Sequence, residues 1–151
     1  MNDPQRERLY RAEDEALGSF GPRFARWREV VGWVDAVTSD PRWIDAFPDA
    51  PIEVHVERRS RSARSSVADV ASATIHIRDG SWDAPTVLHE LAHLATGEPP
   101  TEDPPLAGSG AHGPQFAGIE LELVRRFLGF HAYGALRNEF ERFGVRWLSA
   151  L

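Results

Sequence analysis

Apolar residues recur at intervals of three and four along most of this chain and alternate in two short places, a pattern that predicts an α+β fold. Leu9, Tyr10, Ala12, Ala16 and Leu17 place a first helix over residues 5 to 17, packed on the outside with a structural role. Trp27, Val30, Val31, Val34 and Val37 mark a second over 25 to 38. A short helical turn follows at Trp43, Ile44 and Phe47 before Pro48 and Pro51 end helical structure. Ile52, Val54 and Val56 then alternate with Glu53, His55 and Glu57, and Ala73, Ile75 and Ile77 with Thr74, His76 and Arg78. This is the period of half-buried strands, so we expect a small antiparallel sheet packed against the helices, with His55 and His76 exposed. The exposed edge of the second strand would suit an extended peptide.

The second strand leads into Val87-Leu88-His89-Glu90-Leu91-Ala92-His93, an apolar helical run carrying two imidazoles four residues apart. That spacing stacks His89 and His93 on one helical face, with Glu90 about 100° around, positioned to hold a metal-bound water without being a ligand. Asp83 fits the N-cap, Pro85 the first turn, and Gly97 a left-handed C-terminal cap. The chemistry these residues predict is zinc-assisted hydrolysis, with Glu90 as general base.

A catalytic zinc needs three protein ligands and leaves a position for water, so a third ligand is required. His112 is the preferred one. It ends a Gly/Pro-rich connection over residues 98 to 111, whose mobility would gate the site, and precedes a helix with Phe116, Ile119, Leu123, Val124, Phe127 and Leu128 at helical spacing. Glu120 and Glu122 compete with it, although both read as the polar face of that helix. The pattern H-E-x-x-H-x-x-G-x-x-H fails, because Thr96 and Pro99 stand where its glycine and last histidine belong. Beyond Gly129 a last helix carries Ala132, Leu136, Phe140 and Phe143 and ends at Gly144. His131 reads as a capping or surface residue, and Tyr133 as a core tyrosine rather than an oxyanion donor.

The H-E-x-x-H helix followed by His112-Gly113-x-x-Phe116 resembles the SprT-like zincins. Arg6 to Glu13, Val54 to Arg59, His89 to His93 and Ala111 to Ala117 together are similar to a group of small, uncharacterised bacterial and phage zinc metallohydrolases, a likeness that spans nearly the whole chain. The resemblance implies a zincin-like domain, His89, His93 and His112 as zinc ligands, and Glu90 as the catalytic glutamate. It leaves the substrate open; an amide, first of all a peptide bond in a peptide or protein, is the expectation from the chemistry.

A chain of 151 residues, 42% hydrophobic, suits one domain with its own core, here residues 1-151. With no cysteine it has neither a disulfide, nor a thiol nucleophile, nor the cysteine-rich zinc ribbon of larger SprT-like proteins. All 17 basic residues are arginine, which reads as coding bias of a GC-rich genome. A net charge of −6 argues against broad binding to nucleic acid. Arg58, Arg59, Arg61 and Arg64 are the exception, a basic run read first as a solvated, mobile loop. They also carry the alternative reading, a zinc-stabilised binding module holding an acidic or nucleic-acid partner, in which Glu90 would be dispensable. The polar first residues precede no apolar stretch of signal-peptide length and nothing is long enough to span a bilayer, so the cytoplasm is the expected address.

Overall fold

In the computed structural model, residues 3–97 and 111–150 are described. They form helices α1 (Arg6–Leu17), α2 (Trp27–Thr38), α3 (Pro41–Ile44), α4 (Ala84–Thr96), α5 (Pro114–Phe127) and α6 (Phe130–Phe143), and strands β1 (His55–Arg59), β2 (Val67–Asp69) and β3 (Thr74–Arg78). The class is α+β. No helix among the described residues is long and apolar enough to cross a membrane. The connection singled out above lies, over residues 98–110, outside the described residues. The chain divides into two compact units, one of residues up to Phe20 and after Gly97, the other Gly21–Gly97.

In the unit Gly21–Gly97, helix starts follow from local chemistry. Glu29 reaches back to accept from the Arg26 amide at 2.9 Å and so caps α2. Asp40 accepts from the Arg42 amide at 2.8 Å ahead of Pro41, the first residue of α3. Val30, Val34, Val37 and Trp43 are buried, and the Trp43 indole N–H donates to the Pro51 carbonyl at 3.1 Å.

The sheet differs from expectation in direction. Its order is β1-β3-β2, with β1 parallel to β3 and β2 antiparallel to it, so the sheet is mixed rather than antiparallel. The reason is β2, a strand the alternation did not mark: the chain makes its return pass there, and β3 must then run in the direction of β1. The first strand also begins later than the alternation predicts, at His55, leaving Ile52 outside it and 65% exposed. On β3, Ile75 and Ile77 are buried as predicted, while Ala73 sits ahead of the strand at φ 51. Because β3 is central, its edges are both paired, and the open edges belong to β1 and β2. His55 is exposed, whereas His76 is half-buried with its ring nitrogen 3.5 Å from Glu57.

Helix α4 packs on β2 and β3. Asp83 caps it as expected, accepting from the Thr86 amide at 2.8 Å, and Pro85 occupies the first turn. The start is further pinned by backbone bonds from Phe24 to Trp82 and from Ala84 to Pro22. Gly97 ends the helix with a positive φ of 82, but its ψ of −168 is not that of a left-handed cap. Its amide still closes on the His93 carbonyl at 3.0 Å.

In the other unit α6 packs on α1 and on α5. Leu9, Ala12, Ala16 and Leu17 of α1, Phe116, Leu123 and Val124 of α5, and Ala132, Leu136 and Phe140 of α6 are buried. Gly129 turns the chain at φ 96 between α5 and α6. Gly144 ends α6 in the left-handed conformation, and the Val145 amide returns to the Phe140 carbonyl at 2.8 Å. The C-terminal segment then runs back over α5, where the Leu148 amide donates to the Pro114 carbonyl at 3.0 Å. Gln5, only 2% exposed, binds this segment through both ends of its side-chain amide, to the carbonyl and the N–H of Arg146.

Candidate metal centre

His89, Glu90 and His93 all lie on α4, in the unit Gly21–Gly97. The helix is buried at eight of its thirteen positions, His89 and Glu90 included, while His93 is half-buried. The two imidazoles stand edge to face with ring centroids 5.1 Å apart, and each offers a ring nitrogen within 4.8 Å of the other. One turn of regular helix therefore presents two nitrogen donors side by side, as the spacing predicted. Glu90 is 5% exposed, the neighbouring residue on the same turn.

His112 belongs to the other unit and sits in the turn before α5, with Gly113 as N-cap and Pro114 as the first helical residue. It is 5% exposed, flanked edge-on by the rings of Tyr10 and Phe116 at 5.1 and 5.0 Å. Its Nδ1 lies 2.7 Å from a carboxylate oxygen of Asp3, and its backbone N–H donates to the other at 3.3 Å. A carboxylate only accepts, so Nδ1 is the nitrogen that donates to Asp3, and in the neutral ring Nε2 then keeps its lone pair. The Tyr10 hydroxyl, 3.3 Å from Nε2, is then the donor in that weaker bond. Arg6, one turn earlier on α1, lies over the Tyr10 ring at 5.3 Å, and its guanidinium pKa is raised, first by a hydrogen bond to Tyr10.

Asp3 and Tyr10 are the residues that sequence reasoning missed, and α1 is correspondingly more than an outer structural helix. Nothing in the chain near His112 announces them. Tyr10 counts as one more apolar position in the pattern of α1, and Asp3 is 109 residues from its partner.

Glu122 and Glu120 differ in their surroundings. Glu122 is held by Arg125 and Arg126; burial pushes its carboxyl up, but these hydrogen bonds outweigh that and leave it below the ordinary value. Glu120 is 1% exposed, not on a polar face, and one of its oxygens lies within 4.8 Å of one of Glu13. Its helix is buried at six successive positions, Phe116 to Leu121, so periodicity there does not divide wet from dry. His131 is exposed at the start of α6 and Tyr133 half-buried on it.

The basic run is also more structured than a solvated loop. Arg58 and Arg59 belong to β1; Arg58 holds Asp79 through two bonds of 3.1 and 3.0 Å and lies over the Trp82 ring at 5.2 Å. That hydrogen bond holds the Asp79 carboxyl below the usual range. The loop after β1 is tied to β3, since Arg78 donates to the Ala63 carbonyl at 2.7 Å and its amide to Ser66 at 2.9 Å.

Imidazole nitrogens such as the pair on α4 are donors that zinc accepts, and a catalytic zinc takes three protein ligands and leaves one position for solvent. No family model, curated protein or solved structure matches this chain.

Proposed function

We propose that this chain is a zinc-dependent hydrolase, a metallopeptidase acting on peptide bonds in the cytoplasm, with residues 1–151 forming one zincin-like domain. His89, His93 and His112 hold the ion. Bound there, zinc supplies a Lewis acid that polarises the scissile carbonyl and makes water acidic enough to attack near neutral pH. Glu90 accepts the proton of the attacking water on its carboxylate and delivers it to the departing amine. His89 and His93 are kept at a fixed separation by the helix that carries them, and His112 by its hydrogen bonds. The observation that carries the reading is the pair of ring nitrogens on one turn of α4, adjacent to Glu90, on a helix whose start is capped and whose surroundings are apolar.

The binding-module reading is weaker because Arg58, first of its four guanidiniums, is already engaged by Asp79 and Trp82. Glu90→Gln separates the two. The variant is expected to keep one zinc per chain by mass spectrometry of the intact holoprotein and to lose about 10²- to 10⁴-fold in peptide hydrolysis, the usual contribution of a general base. His112→Ala is expected to lose the ion. Undiminished hydrolysis by Glu90→Gln, or unchanged zinc content in His112→Ala, rejects the corresponding assignment.

A further inference from the structure

We infer that Asp3 is the positioning residue of His112: its carboxylate fixes the ring's tautomer and direction, so that Nε2 is the nitrogen offered to a metal. Of the three histidines, His89 and His93 ride on a regular helix, which sets their separation and direction. His112 sits in a turn, where the backbone allows the ring more directions. The 2.7 Å contact between Nδ1 and Asp3 supplies the missing constraint. It is a charge-assisted bond, since a carboxylate takes the ring N–H, and it makes the opposite nitrogen a better donor to a cation. The second Asp3 oxygen takes the His112 backbone N–H at 3.3 Å, so one carboxylate holds ring and main chain together.

Asp3 is itself held. Its carbonyl accepts from the Arg6 amide at 3.3 Å at the start of α1, and its side chain is only 18% exposed. Phe116 and Tyr10 meet the imidazole in T-shaped contacts at 5.0 and 5.1 Å, and the Asp3 bond adds a directional constraint on the ring that such packing does not supply. Tyr10 does not replace this function. Its hydroxyl meets Nε2 at 3.3 Å, a longer contact on the lone pair itself, and so yields to a cation while the Asp3 bond on the far side of the ring persists.

The metal part of this inference rests on His112 being a zinc ligand; the tautomer part does not. The test therefore uses two readouts on the full chain, zinc affinity by competition with a chromophoric chelator and the ¹⁵N signals of the His112 ring in chelator-treated protein. Asp3→Ala is expected to weaken zinc binding about 10- to 100-fold, the usual effect of removing a carboxylate behind a ligating histidine. Its ring signals are expected to move from a single Nδ1-protonated form to a mixture. Asp3→Asn keeps a neutral acceptor, is expected to fall between, and carries the test if the alanine variant does not fold. Wild-type affinity together with wild-type ring signals overturns the inference. So does weakened affinity with an unchanged tautomer, which would locate the effect in the backbone bond. If the wild-type protein takes up no zinc, the hydrolase reading falls, and the ring signals alone decide the role of Asp3.

Discussion

Gly118, on the first turns of α5, is the position where helix propensity and packing make opposite predictions, and the structure decides between them. An alanine there is expected to favour the helix by about 1 kcal/mol. Its Cβ, however, would stand 1.6 Å from the Leu148 carbonyl oxygen and 2.8 Å from the carbonyl carbon. Backbone, not a flexible side-chain end, is in the way, so the C-terminal segment must retreat by more than an ångström. The 3.0 Å bond from the Leu148 amide to the Pro114 carbonyl does not survive that shift. Losing it costs about 0.5–1.5 kcal/mol, and forcing a methyl into filled space about 1–3 kcal/mol. Packing therefore wins, and Gly118→Ala is expected to destabilise the chain by about 0.5–3.5 kcal/mol. Urea unfolding followed by tryptophan fluorescence measures it, with an unchanged dependence on denaturant as the sign that only stability moved. The displaced segment also carries Arg146, which holds Gln5, two residues from Asp3. Zinc affinity should consequently fall along with stability. A variant that gains stability by the propensity increment refutes the packing argument.

Two further outcomes follow from the caps and ion pairs. Asp83→Ala removes the acceptor for the Thr86 amide at the start of α4 and is expected to cost about 0.5–2 kcal/mol, largely restored by Asp83→Ser; an alanine variant melting with the wild type removes the cap from the account. Glu122 is held below its ordinary value of 4.5, so the folded state binds its proton less readily than the unfolded chain. Its stabilisation is fully present above that ordinary value and is lost as pH falls through the lower folded value. Glu122→Gln should accordingly be less stable at pH 7 and lose less on acidification; parallel acid profiles for the two proteins would sink this.

Helices were legible in the sequence because their signals are local. Asp83 caps α4, Gly129 and Gly144 take positive φ where breaks were expected, and each acts within one turn of itself. Strand direction was not, since three residues of β2 are too few to show a period, yet they decide whether β1 and β3 run together. The pairing of His89 and His93 on α4 was legible for the same reason as the helix, being a matter of spacing along one element. Asp3 and Tyr10 were not, because their roles depend on α1 meeting the turn before α5, a consequence of α1 packing on α6 and α6 on α5. Glu120 shows the converse failure: a charge at a position that periodicity marks as wet is buried because its helix is enclosed over two turns.

The difference between a histidine on a helix and a histidine in a turn bears on where the long-range polar bonds of the unit that holds His112 fall. The helix backbone sets the spacing of His89 and His93, whereas His112 sits in a turn and is held by groups from distant parts of the chain. Asp3 takes its ring and its amide, Gln5 locks the Arg146 backbone, and the Leu148 amide closes on Pro114, two residues after His112. Both terminal segments thus converge on the turn before α5, and each side-chain bond joins residues more than a hundred positions apart. Contacts of that span form only when the unit is folded, so the setting of His112 is cooperative with the folding of that unit. The ¹⁵N signals of the His112 ring should therefore change together with the backbone amides of α5 and α6 through a urea titration; a ring that loosens ahead of them refutes the argument.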